Sequence, residues 1–198
     1  MVKRIVLLAV LALALPLAAF ADSQVDFTNS GGTLSGSNSG FSLTGSTLIA
    51  VNGLNGGGLV TGNLGSLTFS TGALTSGSLT GNATFGAGGS FVIKGNGTDG
   101  IPNGVLFSGS FSSATWVRTD LAHGTHNYTL TGALVTPGGL VGTTVQLTIN
   151  TGKVLFNGTA GVSSGDTNIV VPEPGTLSLF GTGLIGLAGI IRRKLSLS

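Results

Sequence analysis

Cysteine is absent from this 198-residue chain, which excludes a disulfide framework, a zinc knuckle, a thiol nucleophile and an acylated lipoprotein terminus. Charge is nearly as scarce, with Asp, Glu, Lys and Arg making up 7% of residues. Glutamate occurs once, at Glu173, so a glycosidase pair of opposed carboxylates would have to come from scattered aspartates such as Asp99 and Asp120. Five of the eight cations lie near the two ends, and residues 22–171 keep only Lys94, Arg118 and Lys153. Against Asp22, Asp26, Asp99, Asp120 and Asp166 that leaves a net charge of −2 on the body of the chain. Three scattered cations cannot track a phosphate backbone, so nucleic acid is not expected as a partner. Proline is limited to five positions, which rules out a proline-rich linker.

What the chain does have is two apolar ends of different design. Lys3 and Arg4 precede an apolar run over residues 5–15, Pro16 breaks it, and Ala19-Phe20-Ala21 supplies a small-x-small cleavage pattern. Residues 1–21 therefore read as a secretory signal peptide, cut after Ala21 to leave Asp22 as the new N-terminus. At the other end, Val171-Pro172-Glu173-Pro174 cannot be helical, because each proline fixes its own φ and pushes the preceding residue toward extended geometry. Residues 175–191 follow without a charge, and then come Arg192, Arg193 and Lys194. Counted from Pro174, the 18 residues to Ile191 give a helix of about 27 Å at about 1.5 Å per residue, just enough to cross a bilayer core of about 30 Å. The cations at both ends are expected to stay in the cytoplasm, so that everything between them is exported.

Pro-Glu-Pro, a single hydrophobic helix and a terminal basic cluster, in that order, resemble the PEP-CTERM sorting signal of Gram-negative bacteria. The same type of tail has also been grouped as an ice-binding-protein C-terminal domain. The resemblance covers residues 171–198 and implies exosortase, a membrane-embedded cysteine transpeptidase, as a partner acting at the Pro-Glu-Pro. On that view Val171, Pro172, Glu173 and Pro174 are a recognition site for another enzyme, Arg192, Arg193 and Lys194 are the cytoplasmic anchor, and membrane lipid is a second partner. The protein would pass through the inner membrane, be held there transiently, and end at the cell surface or in the extracellular matrix.

Between the two ends, glycine (36 in all), serine, threonine and asparagine dominate. Residues 22–40 read as a flexible Ser/Gly/Asn-rich start, and residues 41–170 as a β-rich passenger domain. Short alternating runs over residues 41–44, 46–51, 67–69, 90–94, 105–111, 114–118 and 128–135 are punctuated by glycine at intervals of about 8–12 residues, as in an antiparallel sandwich or barrel. Val105, Phe107, Gly109 and Phe111 are expected on one face, as are Ala114, Trp116 and Arg118, with Thr115 and Val117 opposite. Residues 144–149 read as a hairpin with 153–156 through Asn150-Thr151-Gly152, with Val145, Leu147 and Ile149 facing the core. Gly65-Ser66-Leu67-Thr68 returns as Gly77-Ser78-Leu79-Thr80, which leaves a parallel β-helix over residues 57–89 as the alternative.

The chemistry on offer is thin. Asp120, His123 and His126 are the nearest approach to a metal-ligand cluster, although the stretch reads first as a polar connecting loop. No Gly-x-Ser-x-Gly elbow is expected between a strand and a helix, as a hydrolase nucleophile would need, and the glycine run at residues 53–58 has no following lysine to cradle a phosphate. No enzyme activity and no cofactor are expected. Low charge and many hydroxyls suit a structural or adhesive surface protein packing with exopolysaccharide or with copies of itself, with a carbohydrate- or ice-binding module as the alternative.

Overall fold

The computed structural model describes residues 23–136 and 143–171. The signal-peptide positions Ala19, Ala21 and Asp22, and the tail from Pro172 through Arg192, Arg193 and Lys194, lie outside the described residues. Among the described residues twelve strands follow one another: β1 Ser23–Ser30, β2 Thr33–Ser37, β3 Gly40–Asn52, β4 Val60–Thr71, β5 Leu74–Gly77, β6 Ala83–Phe85, β7 Gly88–Asn96, β8 Asn103–Asp120, β9 His126–Val135, β10 Thr143–Gly152, β11 Thr159–Gly161 and β12 Ser164–Val171. Among the described residues the helices are two single 3-10 turns, and none is long and apolar enough to cross a membrane.

Hydrogen bonding runs β1-β12-β10-β9-β8-β7-β4-β3, and β3 pairs back onto β1. The ladder therefore closes on itself as an eight-stranded ring. Seven of the eight contacts are antiparallel by register. In an even ring that alternation makes β12 and β1 antiparallel as well. Closure removes the exposed edges that an open sheet of this composition would present. Of the two architectures expected for the passenger the barrel is the one formed, and the antiparallel pairing of β4 with β3 and β7 replaces the parallel β-helix considered for residues 57–89. Short strands add to the ring: β2 and β11 beside β3, and β5 and β6 beside β8.

Alternation puts one side of each strand into a single core. Phe27, Leu34, Phe41, Leu43, Leu48, Leu67, Phe85, Phe91, Ile93, Trp116, Tyr128, Leu130 and the expected trio Val145, Leu147 and Ile149 are all buried. Trp116 stacks on Tyr128 with centroids 4.8 Å apart, and Phe41 and Phe156 complete the group at 4.6 and 5.2 Å from it. Phe41 also lies over Gly36, its direct partner across the β2–β3 ladder, and Phe111 over Gly132. A side chain at either glycine would occupy the space the ring fills.

Three expectations are corrected. Residues 22–40 are not a loose start: β1 and β2 occupy most of them, and Val25, Phe27, Asn29 and Leu34 are buried. Asn29 Nδ2 donates to Ser46 Oγ at 2.7 Å, which in turn donates to the Ser30 carbonyl at 3.2 Å, while Asn29 Oδ1 is buried without a hydrogen-bond partner. Residues 153–156 do not pair with β10, which continues to Gly152 between β9 and β12. Instead they form a loop that turns at Gly152 (φ 63°) and drops Phe156 into the aromatic group. Val105 faces outward, 60% exposed, because Ile93 pairs with Phe107 while Lys94 pairs with Val105. The extra residue, Leu106, is a bulge that reverses the alternation.

Candidate functional site

The ring has two rims. Strands β1, β4, β8 and β10 begin, and β3, β7, β9 and β12 end, at the first; the opposite ends of the same strands form the second. Val171, the first residue of the expected sorting segment, is the last residue of β12. It lies at the first rim beside the start of β1. The segment is thus delivered from a strand held by neighbours on both sides, with no linker between barrel and Pro172.

Two acids face each other near this exit. Asp26 of β1 points outward, and burial together with the neighbouring Asp166 carboxylate of β12 raises its pKa above the ordinary carboxylate value, against a backbone hydrogen bond at Phe27 that lowers it. A carboxyl whose pKa is raised on folding favours the folded state at low pH and loses that advantage as pH climbs from the unfolded value through the folded one. Asp26→Asn is therefore expected to raise the melting temperature at pH 7 and to change it little at pH 3. Equal effects at both pH values would show that neither burial nor Asp166 raises the Asp26 carboxyl in the folded chain.

The second rim carries the Asp120 cluster. Asp120 and His126 are register partners closing the β8–β9 hairpin, and His126 Nδ1 lies 2.7 Å from Asp120 Oδ1. Arg118 Nε contacts the same carboxylate oxygen at 3.0 Å. The hydrogen bond with His126, helped by Arg118, holds the Asp120 carboxyl below the usual carboxylate range. His123 does not join them. It occupies the hairpin tip at φ 63° and is exposed, so the three residues expected as ligands are split two and one. Among the described residues no group of three such side chains is placed to hold a metal. Arg118 serves the fold instead: its guanidinium donates to the Thr80 carbonyl at 3.0 Å, the same oxygen that accepts from Tyr128 Oη at 3.0 Å. With Trp116 Nε1 donating to the Leu79 carbonyl at 2.9 Å, these bonds pin the β5–β6 turn over the aromatic group.

A feature missed in the sequence is the outer face of β6, β8, β9, β10 and β12. Thr84, Thr115, Thr131, Gln146 and Asp166 align across five strands in one row. Val117, Thr129, Thr148 and Ser164 make the next. Rungs of such a row repeat every 4.7–4.9 Å or so. Thr-x-Thr at 129–131, set against the alternation of Tyr128 and Leu130, was the available signal. Apart from Asp166 these nine residues are neutral, and seven of them end in a hydroxyl or an amide. An open groove of about 380 Å³ lies elsewhere, lined by Ser90, Phe91, Val92, Ser108, Gly109, Ser110, Val135 and Thr136, with no titratable group in its wall.

Residues 170–194 match the family described as the PEP-CTERM protein-sorting motif. The match starts one residue before Val171, inside β12, and ends at Lys194, taking in the Pro-Glu-Pro, the apolar run and the basic cluster. No curated protein and no solved structure matches the chain.

Proposed function

We propose that this chain, which carries a PEP-CTERM sorting motif and is thereby directed to export and to exosortase, displays its barrel as a structural and adhesive unit at the cell surface. The observation that carries the sorting half is the match over residues 170–194, which begins where the last barrel strand ends. Exosortase would engage Val171, Pro172, Glu173 and Pro174, while the apolar residues 175–191 hold the chain in the inner membrane and Arg192, Arg193 and Lys194 keep its end in the cytoplasm. Transfer at the Pro-Glu-Pro then frees the barrel from that anchor. The adhesive half is supported by the neutral hydroxyl rows on the outer sheet face. Short threonine side chains lose little rotamer freedom on contact, and a face whose one charge in these rows is Asp166 meets exopolysaccharide, or a second copy, with little stripping of water from ions. Carbohydrate binding is the alternative favoured by the same rows. The described aromatic side chains point inward, so such binding would rest on hydrogen bonds and not on ring stacking.

Cell fractionation tests the sorting half. The full chain is expected first in the membrane fraction and then, shortened, at the surface. In cells lacking exosortase, or with Pro172, Glu173 and Pro174 all replaced by alanine, it should stay unshortened in the membrane. Ending the chain after Val171 should send it straight to the soluble exported fraction. Normal shortening of the triple-alanine chain would overturn the reading.

A further inference from the structure

Chain length ties the barrel closely to whatever holds the tail. From Val171 at the end of β12 to residue 175, where the apolar run begins, four residues span at most about 14 Å even when fully extended. The polar layer on each side of a bilayer is about 5–8 Å thick, taking the total against the hydrocarbon core. A chain anchored through residues 175–191 therefore has its first rim at the headgroups and cannot carry it far above them. One loop of that rim is apolar and uncharged. The connection between β3 and β4 reads Gly53-Leu54-Asn55-Gly56-Gly57-Gly58-Leu59 and has no charge. Leu54 packs against the core, while Leu59 is 68% exposed. The loop lies beside the start of β1, since a Cβ at Gly53 would meet the Gln24 carbonyl, and β1 adjoins β12. The polar trio Arg118, Asp120 and His126 is at the opposite rim, where Val154 is 63% and Leu121 and Leu155 are each 41% exposed.

We propose that the Leu59 loop is a membrane-contact surface. While the tail is anchored, the barrel sits on the lipid with Leu59 in the interface and the Asp120 rim pointing away. The inference rests on the anchoring reading above. The acids of the lipid-side rim, Asp26 and Asp99, keep the contact shallow and suit a zwitterionic surface better than an anionic one. The occupant is lipid: one loop with one exposed leucine is far smaller than the roughly 800 Å² per partner that a stable pairing of copies needs.

The cysteine-free chain makes the test direct. Leu59→Cys and Val154→Cys variants of the full chain each carry one environment-sensitive fluorophore and are reconstituted into phosphatidylcholine vesicles with a lipid-phase quencher. Flotation with the vesicles first establishes anchoring; a chain that does not float sinks the anchoring reading and this one with it. For chains that float, the label at 59 is expected to be quenched at least threefold more than the label at 154. Inserting ten Gly/Ser residues between Val171 and Pro172 should at least halve that quenching while flotation persists. Equal quenching at 59 and 154 overturns the proposal and leaves anchoring intact. Protection of residue 59 that depends on protein concentration and not on the quencher would assign the loop to a second copy, and also overturns it.

Discussion

Trp116→Ala is expected to lower stability by about 4 kcal/mol, in the range for removing a large buried aromatic. For a domain of this size that is a fall in melting temperature of about 12 °C. The side chain is fully buried and touches Phe41, Tyr128 and Phe156. Its loss opens a cavity where three strands and a loop converge. It also leaves the Leu79 carbonyl without its donor and weakens the hold on the β5–β6 turn. Trp116→Phe separates the two effects. It keeps most of the packing and loses the Nε1 bond, so a cost of about 1–2 kcal/mol is expected. Thermal unfolding followed by circular dichroism measures both. A loss below 1 kcal/mol for the alanine variant would mean that the aromatic group is not the core of this barrel.

The second large effect comes from a glycine. Gly65 lies in β4 at φ 150°, where a Cβ would fall onto the Lys94 carbonyl and 2.9 Å from the Gly95 Cα of β7. Both obstacles are backbone in a paired strand, so no rotamer change relieves them. Gly65→Ala is expected to cost about 3 kcal/mol, at the upper end for overpacking. Gly58, in the loop before β4, has open space around its Cβ position and an ordinary φ. Gly58→Ala is expected to stay within about 0.5 kcal/mol of the parent, as for surface changes without special geometry. Similar costs at the two positions would show that glycine is needed here for flexibility and not for close strand approach.

These two sites mark how far the fold could be read from residues alone. Alternation around Trp116 was plain, because Ala114 and Trp116 point in while Thr115 and Val117 point out, and side-chain period is a local property. The same holds for Val145, Leu147 and Ile149. Where reading failed, the cause was a partner distant in sequence. β1 and β2 were hidden because a buried Asn29 and the core-side Gly36, which lies under the Phe41 ring, interrupt the apolar period; Ser46, 17 residues away, takes the Asn29 amide hydrogen bond that its burial requires. Leu106 gives no local sign that it bulges, since the bulge is set by the register with β7. β10 was matched to residues 153–156 by proximity along the chain, whereas closing the ring gave it β9 and β12. The sorting segment was legible throughout because its signals are covalent order and charge, which need no fold. Of the Asp120 cluster the sequence showed the members but not the split, as only the hairpin register brings Asp120 to His126 and sends His123 to the tip.

The position of β12 has a mechanical consequence. A pull on the tail enters the barrel along the axis of that strand, which is hydrogen-bonded to β10 on one flank and β1 on the other. Ladder bonds lie perpendicular to the strands. Such a load is therefore borne in shear by many bonds together and does not unzip them singly. If the hydroxyl face or the far rim grips a surface, tension crosses the molecule parallel to its strands, the direction in which a closed ladder yields least.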